Sequence, residues 1–439
     1  MKTHYYPTWL LVLLLMIVQP INLAANELKH TDSVNTLSVT QLVLQVLQAN
    51  PRLDVAQASW QASLARIEQQ SALDDPQFQY SFAPLTGDSQ KSNGQSEDFG
   101  QRFEISQKLP FPGKLLLRGK AAEYQAISKQ QSIKTLQLLL ASKAKIRFAE
   151  GYYIHQAIAI NQINHILLQE FRDIALTRYS TGKVSKQDVL HAEVELTLLK
   201  HQAIVLQREK KIILAQLNTL LNRPVDSPLS LPKQLREINE LPKLKQLQKI
   251  ALQSRPELKA ITANIHAYKT QNKLAALDYY PDLKLSAGYN SLWDNEDKRF
   301  NMGIGINIPL DQSKRRAAEQ EAKANSQQAH WRKIDLEARI HEELAVAYAQ
   351  VEESLHVLHL YRQQLSSLAD ANLAAAKADY QSGKGDFLSL ISSEKNRMQT
   401  QLQTEQALAN VHRSFAKLEQ AIGSLEPLSA NKQIGRLNP

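Results

Sequence analysis

The chain of 439 residues contains no cysteine. That single absence removes disulfides, thiolate metal sites, cysteine nucleophiles and an N-terminal lipid anchor on cysteine. Glycine and proline are also scarce, at 14 and 16, while Leu, Gln, Ala, Lys and Glu abound, which points to very long helices rather than a loop-rich fold. With only 4 methionines there is no basis for a thioether relay for soft metals. The formal charge is +9, yet acidic and basic residues alternate along the chain with no basic block. A solvated helix surface accounts for that pattern, and nucleic acid is not expected as a partner.

Long apolar runs are missing except at the start. Residues 1–25 carry Lys2 and His4, an apolar stretch from Trp9 to Val18, and small residues at Ala24 and Ala25. The stretch is about half the ~20 residues that a spanning helix requires, so it reads as a cleaved export signal. An exported chain without later spanning helices enters a membrane only as a β-barrel.

What the sequence does have is a repeated plan. Tyr179, Ser180, Thr181, Gly182 and Lys183 return roughly two hundred residues later as Tyr380, Gln381, Ser382, Gly383 and Lys384. Each pentad interrupts a long run of helix formers, as the tip of a helical hairpin would. Asn50, Pro51, Arg52 and Leu53 return as Arg255, Pro256, Glu257 and Leu258, and the Pro76 region returns at Pro281. The chain is an internal duplication, with a first repeat over 26–221, a Pro-rich connector over 222–243, a second repeat over 244–423 and a tail over 424–439.

In the first repeat, Ser38 and Gln41 have capping-box spacing for an opening helix. Alternation then predicts strands over about 77–85 and 99–109, with Phe78, Tyr80, Phe82, Phe103 and Ile105 on one face. A helical hairpin over 114–221 follows, its tip at 178–184. Its return helix bears Val189, Ala192, Leu196, Leu199, Ala203, Leu206, Lys210, Ile213, Leu217 and Leu220 at coiled-coil spacing, with Lys210 the sole polar intruder. The second repeat predicts strands over about 282–293 and 300–309, separated by a turn at 295–299, and a hairpin over 311–423 with its tip at 379–386. Leu285, Tyr289, Trp293, Met302 and Ile304 oppose Lys284, Ser286, Gly288, Gly303 and Gly305. The class is mainly α with a small β part.

Strands of ~10 residues, apolar on one face and polar on the other, have the pattern that crosses an outer membrane. Four strands do not close on themselves, since such barrels begin at about eight. Copies must therefore combine if the strands span lipid.

The duplicated plan, the Pro-initiated strands, the segment Leu109, Pro110, Phe111, Pro112, Gly113, Lys114 and the Tyr-x-x-Gly tips together resemble the outer membrane efflux factors of the TolC family. The 109–114 segment is most similar to the CzcC-type heavy-metal-efflux branch. That resemblance implies a homotrimer whose three sets of strands form a twelve-stranded barrel continued by a helical tunnel across the periplasm. It implies an inner-membrane pump and a periplasmic adaptor as partners, with metal ions or drugs as cargo. It also implies carboxylates shortly after the tip glycines, lining a closed aperture. Asp188 fits in the first repeat. Ser389 and Ser392 stand at the matching places in the second, where Asp386 or Glu394 would substitute.

Tyr179, Gly182, Lys183, Tyr380, Gly383 and Lys384 are the expected adaptor contacts, since exposed tips with permissive backbone suit docking. Arg178 and Asp379 occupy equivalent positions with opposite charge, and an ion pair between them, within or between copies, is expected to hold the tip closed. No catalytic constellation is present. His191 with Glu195, His356 with His359, and His341 with Glu342 and Glu343 each lack the further ligands a metal needs, so neither metal nor cofactor is expected. The alternative reading is an exported coiled-coil adaptor or scaffold that forms no channel.

Overall fold

The computed structural model describes residues 38–83, 100–238, 241–291 and 299–425. The leader, the strand ends expected at 84–85, 99 and 292–293, Trp293, most of the 295–299 turn and the tail beyond 425 lie outside them.

Each repeat starts with a short helix, then a helix opened by proline. Helix α1 (Val39–Ala49) is closed at its start by the reciprocal Ser38 and Gln41 bonds at 3.1 and 3.2 Å, two otherwise orphaned donors satisfied together. Helix α2 (Pro51–Ser71) has Asn50 as its cap and Pro51 at the position where a missing N–H costs nothing. Strands β1 (Gln77–Ala83) and β2 (Gly100–Leu109) follow. Helix α3 (Lys114–Ser180) runs 67 residues, about 100 Å at 1.5 Å per residue, and α4 (Lys186–Leu220) returns along it. The second repeat gives α5 (Leu244–Ser254), α6 (Pro256–Leu277), β3 (Leu283–Asn290), β4 (Phe300–Ile306), α7 (Gln312–Leu360), α8 (Ser366–Ser382) and α9 (Phe387–Ile422).

One expectation needs correction. The outgoing helix of the second repeat is not continuous, because Tyr361–Leu365 form a single π-helical turn between α7 and α8. There Arg362 reaches Glu237 of the connector at 3.0 Å and the Tyr361 hydroxyl donates to Gln403 at 2.8 Å. The extra residue shifts the buried stripe by one position, so that Tyr361, Leu365, Ala369 and Leu373 follow one another in steps of four.

Both halves are locked in the same way. The residue before each proline donates to a carbonyl at the end of its repeat's return helix: Asn50 Nδ2 to Leu220 O at 2.9 Å, and Arg255 Nη1 to Ala421 O at 2.9 Å. Helix ends leave carbonyls unpaired, and the duplicated position supplies the donor each time. On the return seams, Val189, Ala192, Leu196, Leu199, Leu206, Ile213 and Leu217 are buried on α4 while Ala203, Lys210 and Leu220 are only partly so, and Leu408, Val411, Phe415, Leu418 and Ile422 are buried on α9.

The strands form one antiparallel sheet in the order β1-β2-β3-β4. Tyr80 pairs with Phe103, Phe103 with Tyr289 and Tyr289 with Phe300, so the apolar residues of both repeats line a single face. On it Phe78, Phe300, Met302 and Ile304 are 68%, 79%, 92% and 78% exposed. The other face holds Gln79, Arg102, Glu104, Ser106, Ser286 and the glycines. Among the described residues no helix is long and apolar enough to cross a membrane.

Candidate functional site

The two tips have the same backbone. In the first, Lys183 N donates to Arg178 O and Gly182 N to Tyr179 O, both at 2.9 Å; in the second, Lys384 N donates to Asp379 O at 2.9 Å and Gly383 N to Tyr380 O at 3.2 Å. Gly182 and Gly383 have φ of 69° and 78°, the left-handed conformation that ends a helix and that glycine adopts without a Cβ penalty. The side chains break this equivalence. Tyr179 is 43% exposed, whereas its counterpart Tyr380 is 3% exposed.

Arg178 contributes to the difference. Its guanidinium donates to Tyr380 O at 2.9 Å and Gln381 O at 3.2 Å and lies 4.4 Å from the Tyr380 ring centroid. A cation placed on the last carbonyls of α8 neutralises the negative end of that helix. The Tyr380 ring also packs on Phe387 at 5.4 Å within a cluster of Leu168, Phe171, Val189, Leu196, Leu390 and Ile391, which joins the two hairpins above their tips. Burial pushes the Tyr380 phenol up; Arg178 opposes the rise and the nearby Asp188 carboxylate adds to it.

The other sequence-predicted residues separate into groups. Asp188 lies half-buried in the first turn of α4, within 3.3 Å of the Ser185 hydroxyl. Asp379, Lys183 and Lys384 are exposed. Among the described residues Arg178 makes no ion pair with Asp379, because its guanidinium is committed to the carbonyls of the second tip; within one chain the expected pair is replaced by that contact. Asp386 caps α9 by accepting from Ser389 N at 2.6 Å, and this bond holds its carboxyl below the usual range.

Glu394 is buried within the chain rather than exposed like Asp386. It is 2% exposed and receives both arms of Arg397, Nε at 3.1 Å and Nη2 at 3.0 Å. Arg397 also lies 4.0 Å from Asp370 of α8 and 3.5 Å from Asn164 of α3. A buried carboxylate requires such a partner, and the i,i+3 spacing on one helix supplies it. Close by, Lys395 bridges to Glu195 at 3.1 Å, tying α9 to α4. Glu195 is thus an ion-pair partner of the second hairpin, while His191 contacts Gln187 at 3.3 Å. No metal-binding group of His, Asp and Glu occurs among the described residues.

A second cluster, overlooked in the sequence, sits where strands meet helices. Lys114 is 3% exposed and contacts Asp282 at 2.8 Å and Asp278 at 3.2 Å. Asp282 also accepts from Phe111 N at 2.9 Å. The Lys of the Leu-Pro-Phe-Pro-Gly-Lys segment thus joins the first repeat to the second at the foot of the sheet. Spacing alone gave no sign of its partners, which come from the other half of the chain.

An exposed apolar sheet face joined to paired helical hairpins of this length is the build of a protein whose strands enter a membrane. Residues 42–223 and 247–424 match the model of the outer membrane efflux protein family, and the chain belongs to that family. Its place is the cell outer membrane. Nodulation protein T of Rhizobium leguminosarum bv. viciae is 20% identical over 309 residues, 67% of this chain and 63% of that relative. The chain therefore spans less than two thirds of that protein's length. Among solved structures, the outer membrane protein VceC of Vibrio cholerae superposes with a TM-score of 0.75 at 17% identity, covering 88% of this chain and 97% of that one. CusC does so at 0.75 and 19%, covering 88% and 92%.

Proposed function

We propose that this protein is the exit duct of a tripartite exporter, passively conducting substrate received from an inner-membrane pump and a periplasmic adaptor. The observation that carries the reading is the sheet. Its exposed face of Phe78, Phe300, Met302 and Ile304 is unfavourable in water, and its outer strands β1 and β4 each have one neighbour. Three copies that join β4 of one chain to β1 of the next remove every edge and turn the apolar face to lipid.

The tips would form the gate. Arg178 clasps the second tip of its own chain, while the exposed Tyr179 and Asp379 remain for a neighbouring copy. Lys183 and Lys384 are placed for an adaptor. An exported scaffold without a channel would leave the same apolar face in water, which weighs against that alternative.

The reading is tested by purifying the protein from outer-membrane fractions and placing it in a planar bilayer. An oligomer that dissociates only on heating, with discrete conductance steps, is the expected result. A monomer in the soluble periplasmic fraction would overturn it.

A further inference from the structure

The polar face of the sheet is electrically lopsided. Among the described residues it carries Arg102, Glu104 and Lys108 on β2 and Lys284 on β3, three cations against one carboxylate. Lys108 and Lys284 are direct cross-strand partners, an arrangement of like charges that weakens a sheet. Each leans away from the other, Lys284 to Glu104 at 3.6 Å and Lys108 to Asp282 at 3.5 Å.

Those carboxylates are already engaged. Glu104 holds Arg102 at 2.6 Å, and Asp282 holds Lys114 and the Phe111 N–H. Exposure sharpens the imbalance: the side chains of Arg102, Lys108 and Lys284 are 55%, 56% and 52% exposed, but those of Glu104 and Asp282 only 18% and 11%. The facing positions carry little bulk, with Gly305 opposite Lys284 and Gly303 opposite Ser286, so both lysine side chains stay about half exposed beside their carboxylates.

We infer that this face makes the barrel selective for anions, and that the solutes it passes most readily are small carboxylates and other anionic compounds rather than free metal cations. The inference rests on the barrel reading above, which turns the polar face inward and repeats the cationic band in every copy. A wall lined by charges of one sign raises the local concentration of the opposite ion. Specificity would thus be written in the strands, far from the tips.

The test is the reversal potential of the full-length channel in a planar bilayer under a potassium chloride gradient. Wild type is expected to favour chloride. A Lys108→Gln, Lys284→Gln double variant should lower the chloride-to-potassium permeability ratio roughly threefold, whereas Glu104→Gln should raise it and Lys108→Arg, Lys284→Arg should preserve it. Comparing variants with wild type holds constant the acidic residues of the joining segments, such as Asp88, Glu97, Asp294 and Glu296. Conductance steps with the same reversal potential in wild type, the Gln double variant and Glu104→Gln would overturn the inference while leaving the channel intact. Absence of any conductance in wild type would overturn the channel reading itself.

Discussion

Arg178 and Tyr380 are bound twice over: the guanidinium lies 4.4 Å from the ring centroid and donates to the carbonyl of the same residue at 2.9 Å. A stacked cation contributes ~0.5–2 kcal/mol and a charged hydrogen bond ~1.5–3 kcal/mol, both reduced here by partial exposure. Arg178→Ala should therefore raise the closed-state conductance of single channels. Lysine should restore little of the closure, because an ammonium can neither stack flat nor reach two carbonyls as a fork does. Unchanged conductance in the Ala variant would remove this contact from the gate.

The tip glycines separate strain from crowding. An added Cβ at Gly182 or Gly383 meets nothing within 4 Å, so alanine there costs only the left-handed backbone, about 1 kcal/mol. At Gly385 the Cβ would come within 3.0 Å of Asp379 Cβ and 3.3 Å of backbone. Hydrogen exchange at the Lys384 amide should speed up about fivefold in Gly383→Ala and more in Gly385→Val. Equal protection in all three proteins would contradict the assignment.

Acid should act through Asp282. Burial resists its ionisation, but the Lys114 bond, the Phe111 N–H and the charges of Lys114 and Lys108 outweigh that and hold its carboxyl below the usual range. The unfolded chain then takes up the proton more readily than the folded one. The stabilisation is complete above about pH 4 and disappears as pH falls through the depressed folded value. Denaturation midpoints followed down in pH should decline less steeply for Asp282→Asn than for wild type, from a lower plateau.

Breaking one half of the buried pair at Glu394 should be worse than deleting both. Glu394→Gln leaves Arg397 without its carboxylate and should cost about 3–5 kcal/mol, whereas a Glu394→Met, Arg397→Met double variant should lie near wild type. Urea titration of the three proteins distinguishes a pair that stabilises from one that only compensates its own burial.

Face identity in the sheet is open to a direct contrast. Ile304→Arg places a charge on the apolar face and should cost about 2–4 kcal/mol in lipid, visible as lost heat-stable oligomer in the outer membrane. Gln79→Arg, on the polar face opposite Glu104, should assemble normally. Equal assembly of the two would mean that the apolar face does not meet lipid.

Much of this architecture was legible because the residues that carry it act locally. The capping box at Ser38, the proline starts at Pro51 and Pro256, the two-residue alternation around Phe103 and Ile304, and the seam from Val189 to Leu217 each state their structure within a few residues. The π turn at Tyr361 was not legible, since it shifts the apolar stripe by only one position. The burial of Glu394 was not legible either: distance from the tip glycine says how far along a helix a residue lies, not which way it faces.

By itself the sequence determined two repeats, their helices and strands, and two glycine-centred tips, because helix caps, periodicity and turn chemistry are local. Tertiary structure alone decided the pairings across the duplication. Arg178 meets Tyr380, Lys114 meets Asp282 and Glu195 meets Lys395 from opposite halves of the chain. A charge finds its partner through packing, and two equivalent tyrosines became one exposed and one buried because Tyr380 is packed both under Arg178 and against Phe387.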